Sequence, residues 1–356
     1  MFSTLPGFPE GQQRVDSTSQ TFHRQTRTRF GLDRSRRGRQ AISDHYGLRI
    51  AVLIPCRDEE ATVVDVVAGF SVALPSATIY VYDNASTDLT ARKAVEAGAV
   101  VRTEPIPGKG SVVRRMFADI DADVYVMADG DSTYDASRAP LMVSRLIDDG
   151  LDMVVGTRTG VTADAGRRGH AAGNRLFNSL YRMLFGSGFE DIFSGYRVFS
   201  RRFVKSFPAG FSGFEVETEM SVHASQLRLP VGEVEVSYQA RPEGSESKLR
   251  TVADGMNVLR AMFVLLKVNR PMALLGGISV VFAMASVTLG VPVFVDFSQT
   301  GLVERLPTAV LATGLAVLAL VSAVSGIIMD SIARVRLEGK RLAYLAQPAM
   351  TTNTHG

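Results

Sequence analysis

The chain begins its ordered pattern with short apolar runs separated by longer stretches of mixed polarity. "RIAVLIP" (residues 49–55), "TIYVYDN" (78–84), "AVVRTEP" (99–105), "DVYVMADGD" (123–131) and "LDMVVGTR" (151–158) are compact and rich in β-branched or aromatic residues. Such runs, each ended by polar residues, predict strands buried on both faces. Between them the apolar positions fall at helical spacing: through Val63, Val64, Val66 and Val67 toward Pro75, then "STDLTARKAVEAG" (86–98), "GKGSVVRRMFADI" (108–120) and "DASRAPLMVSRLIDDG" (135–150). Ser86 or Thr87 is placed to cap the second of these helices and Gly98 to end it. Strands alternating with helices predict right-handed βαβ units, hence an α/β fold with a mainly parallel sheet and flanking helices.

The pattern changes in the last third. Residues 271–297 are apolar apart from Asp296, and residues 306–329 carry no charge. Each run exceeds the roughly 20 residues a helix needs to cross the hydrocarbon core, and the short link between them predicts a two-helix transmembrane hairpin. Arg260, Lys267 and Arg270 precede the first run and Arg334, Arg336, Lys340 and Arg341 follow the second, while the link holds only Arg305. The positive flanks place both ends on the cytoplasmic side. The expected protein is therefore a multi-pass protein of the cytoplasmic (inner) membrane, with its catalytic domain and both termini cytoplasmic.

Residues 249–269 carry Leu249, Val252, Met256, Leu259, Phe263 and Leu266 at helical spacing, with basic residues among them. They predict a juxtamembrane amphipathic helix, either interfacial or packed on the preceding domain. The expected organisation is a disordered basic tail (1–47), an α/β domain (48–248), this helix (249–269), the hairpin (270–330) and a C-terminal tail (331–356). The arginines of the N-terminal tail suit contact with anionic membrane lipid. Nothing after Met1 has the apolar core of a signal peptide, and no aromatic residues interleave the arginines as a nucleic-acid surface would require. With Cys56 the single cysteine of 356 residues, no internal disulfide is available, which suits a reducing compartment.

In a parallel sheet, ligands bind beyond the carboxyl ends of the strands. Polar residues gather there: Arg57, Asp58 and Glu59 after the first strand, Asp83 and Asn84 after the second, Asp129 and Asp131 after the fourth, and Arg158 after the fifth. Asp129 and Asp131 stand one glycine apart, where their charges repel unless a cation lies between them. Gly108-Lys109-Gly110 opens a helix whose N-terminal amides and Lys109 ammonium suit a phosphate.

"VLIPCRDEE", "VYDNASTDLT", "GKGSVVR" and "ADGDSTYD", in that order and spacing, resemble the nucleotide-sugar domain of family 2 glycosyltransferases, a Rossmann-like GT-A fold. "GTR", "GNRLFNSLYRMLFG", "DIFSGYRVFSRR", "GFEVETE" and "RPEGSESK", followed by a membrane hairpin, resemble the polyprenyl-phosphate branch, which includes dolichyl-phosphate mannose synthases. The resemblance spans about residues 49–330 and implies a donor, an acceptor and a metal. Pro55, Arg57, Asp58, Glu59, Asp83, Asn84, Lys109 and Asp129 would surround the donor nucleotide. Asp131 would be the direct ligand of Mg²⁺ or Mn²⁺, with Asp129 orienting ribose or metal-bound water; hard carboxylate oxygens suit either ion. Arg158, Arg175, Ser179, Arg241 and Lys248 match positions that contact the acceptor phosphate, and Arg175 and Ser179 stand one helical turn apart. Arg57, Asn84-Ala85 and Thr133 depart from the family pattern, Thr133 standing where glutamine is frequent.

A phosphate acceptor is largely dianionic near neutral pH and is already nucleophilic, so a strong general base is dispensable. Asp191 is the candidate base if the acceptor is a hydroxyl, and Glu215 could bind sugar hydroxyls. The expected function is inverting transfer of a sugar from a nucleotide diphosphate sugar donor to a polyprenyl phosphate acceptor at the cytoplasmic membrane face. Its rivals are a glycan or other lipid acceptor, a sugar-1-phosphate nucleotidyltransferase, and an inactive membrane scaffold that binds nucleotide sugar. The missing QxxRW-like segment and the short hairpin argue against a processive polysaccharide synthase. Whether the chain forms a homo-oligomer is left open by the sequence.

Overall fold

The structure, a computed structural model, describes residues 47–159, 189, 191–213, 215–239, 260 and 263–350. Among them seven strands form one sheet: β1 (Ile50–Cys56), β2 (Thr78–Asp83), β3 (Val100–Thr103), β4 (Val124–Met127), β5 (Met153–Thr159), β6 (Arg197–Ser200) and β7 (Val231–Ser237). Their order is β3-β2-β1-β4-β6-β5-β7. The expected parallel series holds from β3 to β4. Beyond it, β6 enters between β4 and β5 and runs antiparallel to both, while β7 pairs parallel with β5. The sequence reading had "LDMVVGTR" close the series; instead the later "YRVFS" run separates it from β4. Its residues are buried on both sides, which a central strand allows and local periodicity does not reveal.

Helices α1 (Val63–Ala73), α2 (Thr90–Glu96), α3 (Lys109–Asp119), α4 (Ala139–Asp148), α5 (Arg201–Ser206) and α6 (Val216–Leu227) flank the sheet. Alternate strand residues feed two cores. Leu53, Tyr125 and Met127 join Met116, Phe199 and Phe203 on one face, while Val52, Ile54, Val124 and Val126 join Val67, Phe70 and Met142 on the other. With both faces covered, the strands must be apolar throughout.

The start of α2 differs from expectation. Asp88, not Ser86 or Thr87, accepts the Thr90 amide at 2.9 Å, and Gly98 ends the segment with φ of 93°. Ser86 and Thr87 bind Asp58 across the strand ends instead, as described below. A short polar side chain serves whichever unpaired partner the tertiary fold brings within reach.

Two long helices follow, α7 (Pro271–Thr300) and α8 (Leu306–Leu345), both long and apolar enough to cross a membrane. Only 0% and 17% of their most apolar windows are buried, so they are not the interior of a soluble core. They pack on each other through small residues: Ala312, Ala319 and Gly326, seven apart, form the buried stripe of α8. Ser279 Oγ donates to the Ala319 carbonyl and Ser286 Oγ to that of Ala312, each at 2.7 Å. Small residues and hydroxyl contacts let two backbones approach closely where lipid gives no hydrophobic drive.

The apolar run ends at Met329, but α8 does not. At about 1.5 Å per residue its 40 residues reach roughly 60 Å, about twice the hydrocarbon thickness. The expected tail is thus helical to Leu345, and it docks on the α/β domain. Lys340 Nζ donates to Gln226 Oε1 at 2.9 Å and Tyr344 OH to Asp152 Oδ2 at 2.8 Å. Arg201 Nε and Arg202 Nε reach Gln347, and the Arg202 guanidinium lies over the Tyr344 ring. On the other side of the hairpin, Leu265 is buried in the first core; of the expected amphipathic helix, only residue 260 and residues 263–269 fall within the described range.

One packing contact predicts a pH response. His223 on α6 is buried between Phe203 and Phe207, with Nε2 at 3.0 Å from Ser206 Oγ. Burial pushes its pKa down from 6.5 to about 3, and the Lys340 charge adds to the effect. Below pH 6.5 the unfolded chain binds a proton here that the folded chain refuses, so stability is full above that pH and falls as pH drops toward 3. The loss would reach roughly 5 kcal/mol at most. Acid denaturation followed by circular dichroism should show a shallower stability loss between pH 6 and 4 for His223→Phe than for the native chain; an unchanged slope would remove His223 as the cause.

Candidate active site

The carboxyl ends of β1, β2, β4 and β5 are joined by side-chain contacts into one polar surface. Asp58, with φ of 47°, links the first two ends. Its amide donates to Ser86 Oγ at 2.9 Å, and its Oδ1 accepts the Thr87 amide at 2.7 Å. Glu59 is buried; its amide donates to Thr90 Oγ1 at 2.8 Å. Thr62 Oγ1, which also approaches Glu59 Oε2, donates to the Gly130 carbonyl at 2.7 Å and so ties the β1 end to the loop after β4. Pro55 is half-buried and Arg57 exposed beside them, with Arg57 Nε at 3.9 Å from Asp58 Oδ2.

Asp83 closes β2 with 6% exposure, and its Oδ1 finds no hydrogen-bond partner among the described residues. A buried acceptor without a donor is costly, and a ligand N–H or hydroxyl at this strand end would remove that cost. Asn84 has no such capacity left in its amide hydrogens. Its Nδ2 donates to the carbonyls of Glu104 at 2.9 Å and Ile106 at 2.8 Å, and its Oδ1 accepts the Gly108 amide at 2.7 Å. In this fold the Asn84 side chain clamps the β3–α3 loop to β2.

The Gly108-Lys109-Gly110 segment is engaged in the same way. Its Gly108 amide is held by Asn84 and its Gly110 amide donates to the Ser212 carbonyl at 2.9 Å, so these two are not offered to a phosphate. Both glycines are required by close approach: a Cβ at Gly108 would collide with the Ser212 carbonyl and one at Gly110 with that of Phe211, and Gly108 has φ of 124°. Lys109 turns its ammonium onto Asp129 Oδ1 and Glu217 Oε1. Burial opposes its charge, but the two carboxylates outweigh burial and hold its pKa above the usual lysine value. Burial pushes the Glu217 carboxyl up, offset in part by Lys109. One ammonium between two carboxylates leaves a net negative site.

The Asp129-Gly130-Asp131 turn is tightly set. Asp131 is 4% exposed, and its Oδ1 accepts the Thr133 hydroxyl at 2.6 Å and the Thr133 amide at 3.2 Å. The intervening Ser132 adopts φ of 57°, a conformation costly for a residue other than glycine and characteristic of functional turns. Asp129 keeps 27% of its side chain exposed. Gly195 makes room for it, since a Cβ there would collide with the Asp129 carboxylate. The residues fit a hard divalent ion such as Mg²⁺ or Mn²⁺: two carboxylates stand one glycine apart, Asp131 anchored by Thr133 and Asp129 part-exposed beside Lys109. Among the described residues no cluster of three or more His, Cys, Asp or Glu is placed for a metal, so phosphate and water would complete the shell.

Arg158 and Asp191 face each other rather than presenting separate groups. Arg158 Nε and Nη2 reach the Asp191 oxygens at 2.7 and 2.9 Å, with side chains 20% and 14% exposed. The guanidinium also lies 5.5 Å from the centre of the Tyr238 ring. Tyr238 packs on Tyr134, whose hydroxyl accepts the Gly195 amide at 2.9 Å. The candidate base is thus engaged by the candidate acceptor cation, as a bidentate hydrogen-bond partner rather than an unengaged carboxylate. Arg175, Ser179, Arg241 and Lys248 lie outside the described residues.

Glu217 escaped the sequence reading, which took Glu215 from the same "GFEVETE" run. Only the path of α6 past Lys109 distinguishes the three acids of that run; none carries a spacing signal of its own.

The sheet and the acidic turn after β4 form a GT-A-like α/β domain, and comparison with known proteins identifies the family. The family described as glycosyl transferase family 2 matches residues 51–207. Glycosyltransferase AglJ of Haloferax volcanii is 34% identical over 250 residues, covering 70% of this chain and 81% of its own. The chain belongs to glycosyltransferase family 2. The dolichyl-phosphate hexose transferase of Haloferax volcanii is 27% identical over 206 residues, covering 58% of this chain and 89% of its own. Among solved structures, a mycobacterial protein matches with a TM-score of 0.52 and 24% identity, covering 62% of this chain and 76% of that one. That likeness concerns the fold alone.

Proposed function

We propose that this glycosyltransferase moves a sugar from a nucleotide diphosphate sugar to a polyprenyl phosphate at the cytoplasmic face of the membrane. The observation that carries the acceptor class is the double fastening of the α/β domain to the apolar hairpin, by Leu265 before α7 and by Lys340, Tyr344 and Gln347 after α8. From Met329 to Lys340 an unbroken helix rises only about 16 Å, so the domain is held within reach of a lipid head group. A soluble acceptor would need no such fastening. The dolichyl-phosphate hexose transferase similarity points the same way.

In the proposed reaction an acceptor phosphate oxygen attacks the anomeric carbon from the side opposite the leaving group. A new C–O bond forms as the bond to the donor's β-phosphate oxygen breaks, and the nucleoside diphosphate leaves with the electron pair. The dianionic acceptor has no proton to lose, so Asp191 is free to hold Arg158, whose charge faces the incoming phosphate. Asp83 Oδ1 accepts from the nucleoside, and Lys109 limits the negative charge that Asp129 and Glu217 would otherwise turn toward the diphosphate. A divalent ion, when bound at Asp131 and Asp129, supplies the positive charge that the departing diphosphate requires.

The test uses the detergent-purified full chain with undecaprenyl phosphate, labelled UDP-, GDP- and dTDP-sugars in turn, and Mg²⁺ or Mn²⁺. Label in the organic extract with one donor class is the expected result. Transfer only to water-soluble acceptors, or to none with every donor, would overturn the proposal.

A further inference from the structure

The segment that carries Lys109 is backed by a loop that α6 holds, and α6 in turn receives the end of α8 through Lys340 and Gln226. The loop from Ala209 to Gly213 lies against the start of α3: the Ser212 carbonyl accepts the Gly110 amide, and the backbone there leaves no space for a Cβ at Gly108 or Gly110. That loop is itself strained, with Ala209 at φ of 45°; Arg114 Nη1 donates to the Ala209 carbonyl at 3.5 Å, and the next two amides are held by one side chain. Glu219 Oε1 accepts the Gly210 amide at 2.9 Å and Oε2 the Phe211 amide at 3.1 Å. Glu219 is 8% exposed, and burial raises its pKa, opposed by these amides and by the Lys340 charge. Lys340, on α8 one helical turn before Tyr344, is part-buried against α6, where it donates to Gln226.

We infer that Glu219 is a positioning residue for the donor site, linking the cytoplasmic end of α8 through the Ala209–Gly213 loop to the Lys109–Asp129 contact. The inference rests on the donor half of the proposed function and is independent of the acceptor. Two carboxylate oxygens each receive one amide; a glutamine at this position has one acceptor oxygen and must turn an N–H toward the second amide. The loop then loses a charge-assisted bond and the glycine segment loses its backstop. Lys340→Met removes the nearby positive charge and should loosen the same loop.

Two measurements on the full chain test this. Hydrogen exchange should quicken at residues 209–213 and 108–112 in Glu219→Gln and in Lys340→Met, with the β1 and β2 amides unchanged; unaltered exchange in both segments would overturn the inference whether or not a donor is known. Calorimetry with the nucleotide sugar that the native chain binds should then show affinity about tenfold weaker in Glu219→Gln. Lys340→Met should weaken it less, and the double variant should fall short of the product of the two effects, as expected for one shared path. Native affinity in Glu219→Gln, or fully multiplicative effects, would also overturn it. A native chain that binds its donor but transfers nothing to lipid would sink the proposed acceptor and leave this inference standing.

Discussion

Asp131→Asn is expected to reduce sugar transfer by roughly a thousandfold, the scale on which removing a group that stabilises transition-state charge acts. The substitution keeps the shape of the side chain. Asparagine Oδ1 can still accept the Thr133 hydroxyl and amide that now hold Asp131, so the turn and the fold should survive. What disappears is the buried negative charge that a divalent ion requires. Unfolding temperature within a few degrees of the native chain, together with loss of transfer at every Mg²⁺ and Mn²⁺ concentration, is the expected pair of observations. Retention of a tenth or more of the activity would show that Asp131 holds no cation the reaction needs. Asp129→Asn should act differently, because its partner Lys109 would keep Glu217; the defect expected there is weaker donor binding more than a lost metal.

Breaking the Arg158–Asp191 pair should have the second largest effect, and it separates stability from chemistry. Arg158→Leu leaves Asp191 largely buried without the two bonds Arg158 gives it, keeping only that from the Phe193 amide, which should cost about 3 kcal/mol of folding stability. Replacing both residues by leucine removes the stranded charge as well as the pair, so chemical denaturation should recover most of that loss. If the proposed acceptor is the right one, lipid-linked product should remain undetectable in the double variant, since no cation at this strand end would face its phosphate. A double variant that is stable and active would reduce the pair to a structural tie. One that stays as unstable as Arg158→Leu would show that the packing around Tyr238, over which Arg158 lies, matters more than the charge.

Much of the site was legible because it lies where chain direction and polarity coincide. Asp58, Asp83, Asp129 and Asp131 each follow an apolar run that could only be a strand, and carboxyl ends of parallel strands converge. Partners were less legible. Asn84 reads as a ligand contact from its place after β2, yet its amide is consumed by the Glu104, Ile106 and Gly108 backbone. Gly108 and Gly110 read as a phosphate cradle, yet their smallness answers to the Ser212 and Phe211 carbonyls, about a hundred residues away in sequence. Side-chain type tells what bond a residue can make; only distance tells which bond it makes.

The sequence by itself determined the alternation that makes an α/β sheet, the acidic turn after β4, the two apolar spans and the family resemblance, because each is written in local periodicity or in contiguous motifs. The tertiary structure decided the rest: the antiparallel entry of β6, the selection of Glu217 from three neighbouring acids, and the continuation of α8 beyond Met329 onto Gln226 and Asp152. These depend on contacts between residues far apart in the chain, whose free energy is set by burial and partner geometry and leaves no repeating mark on either segment alone.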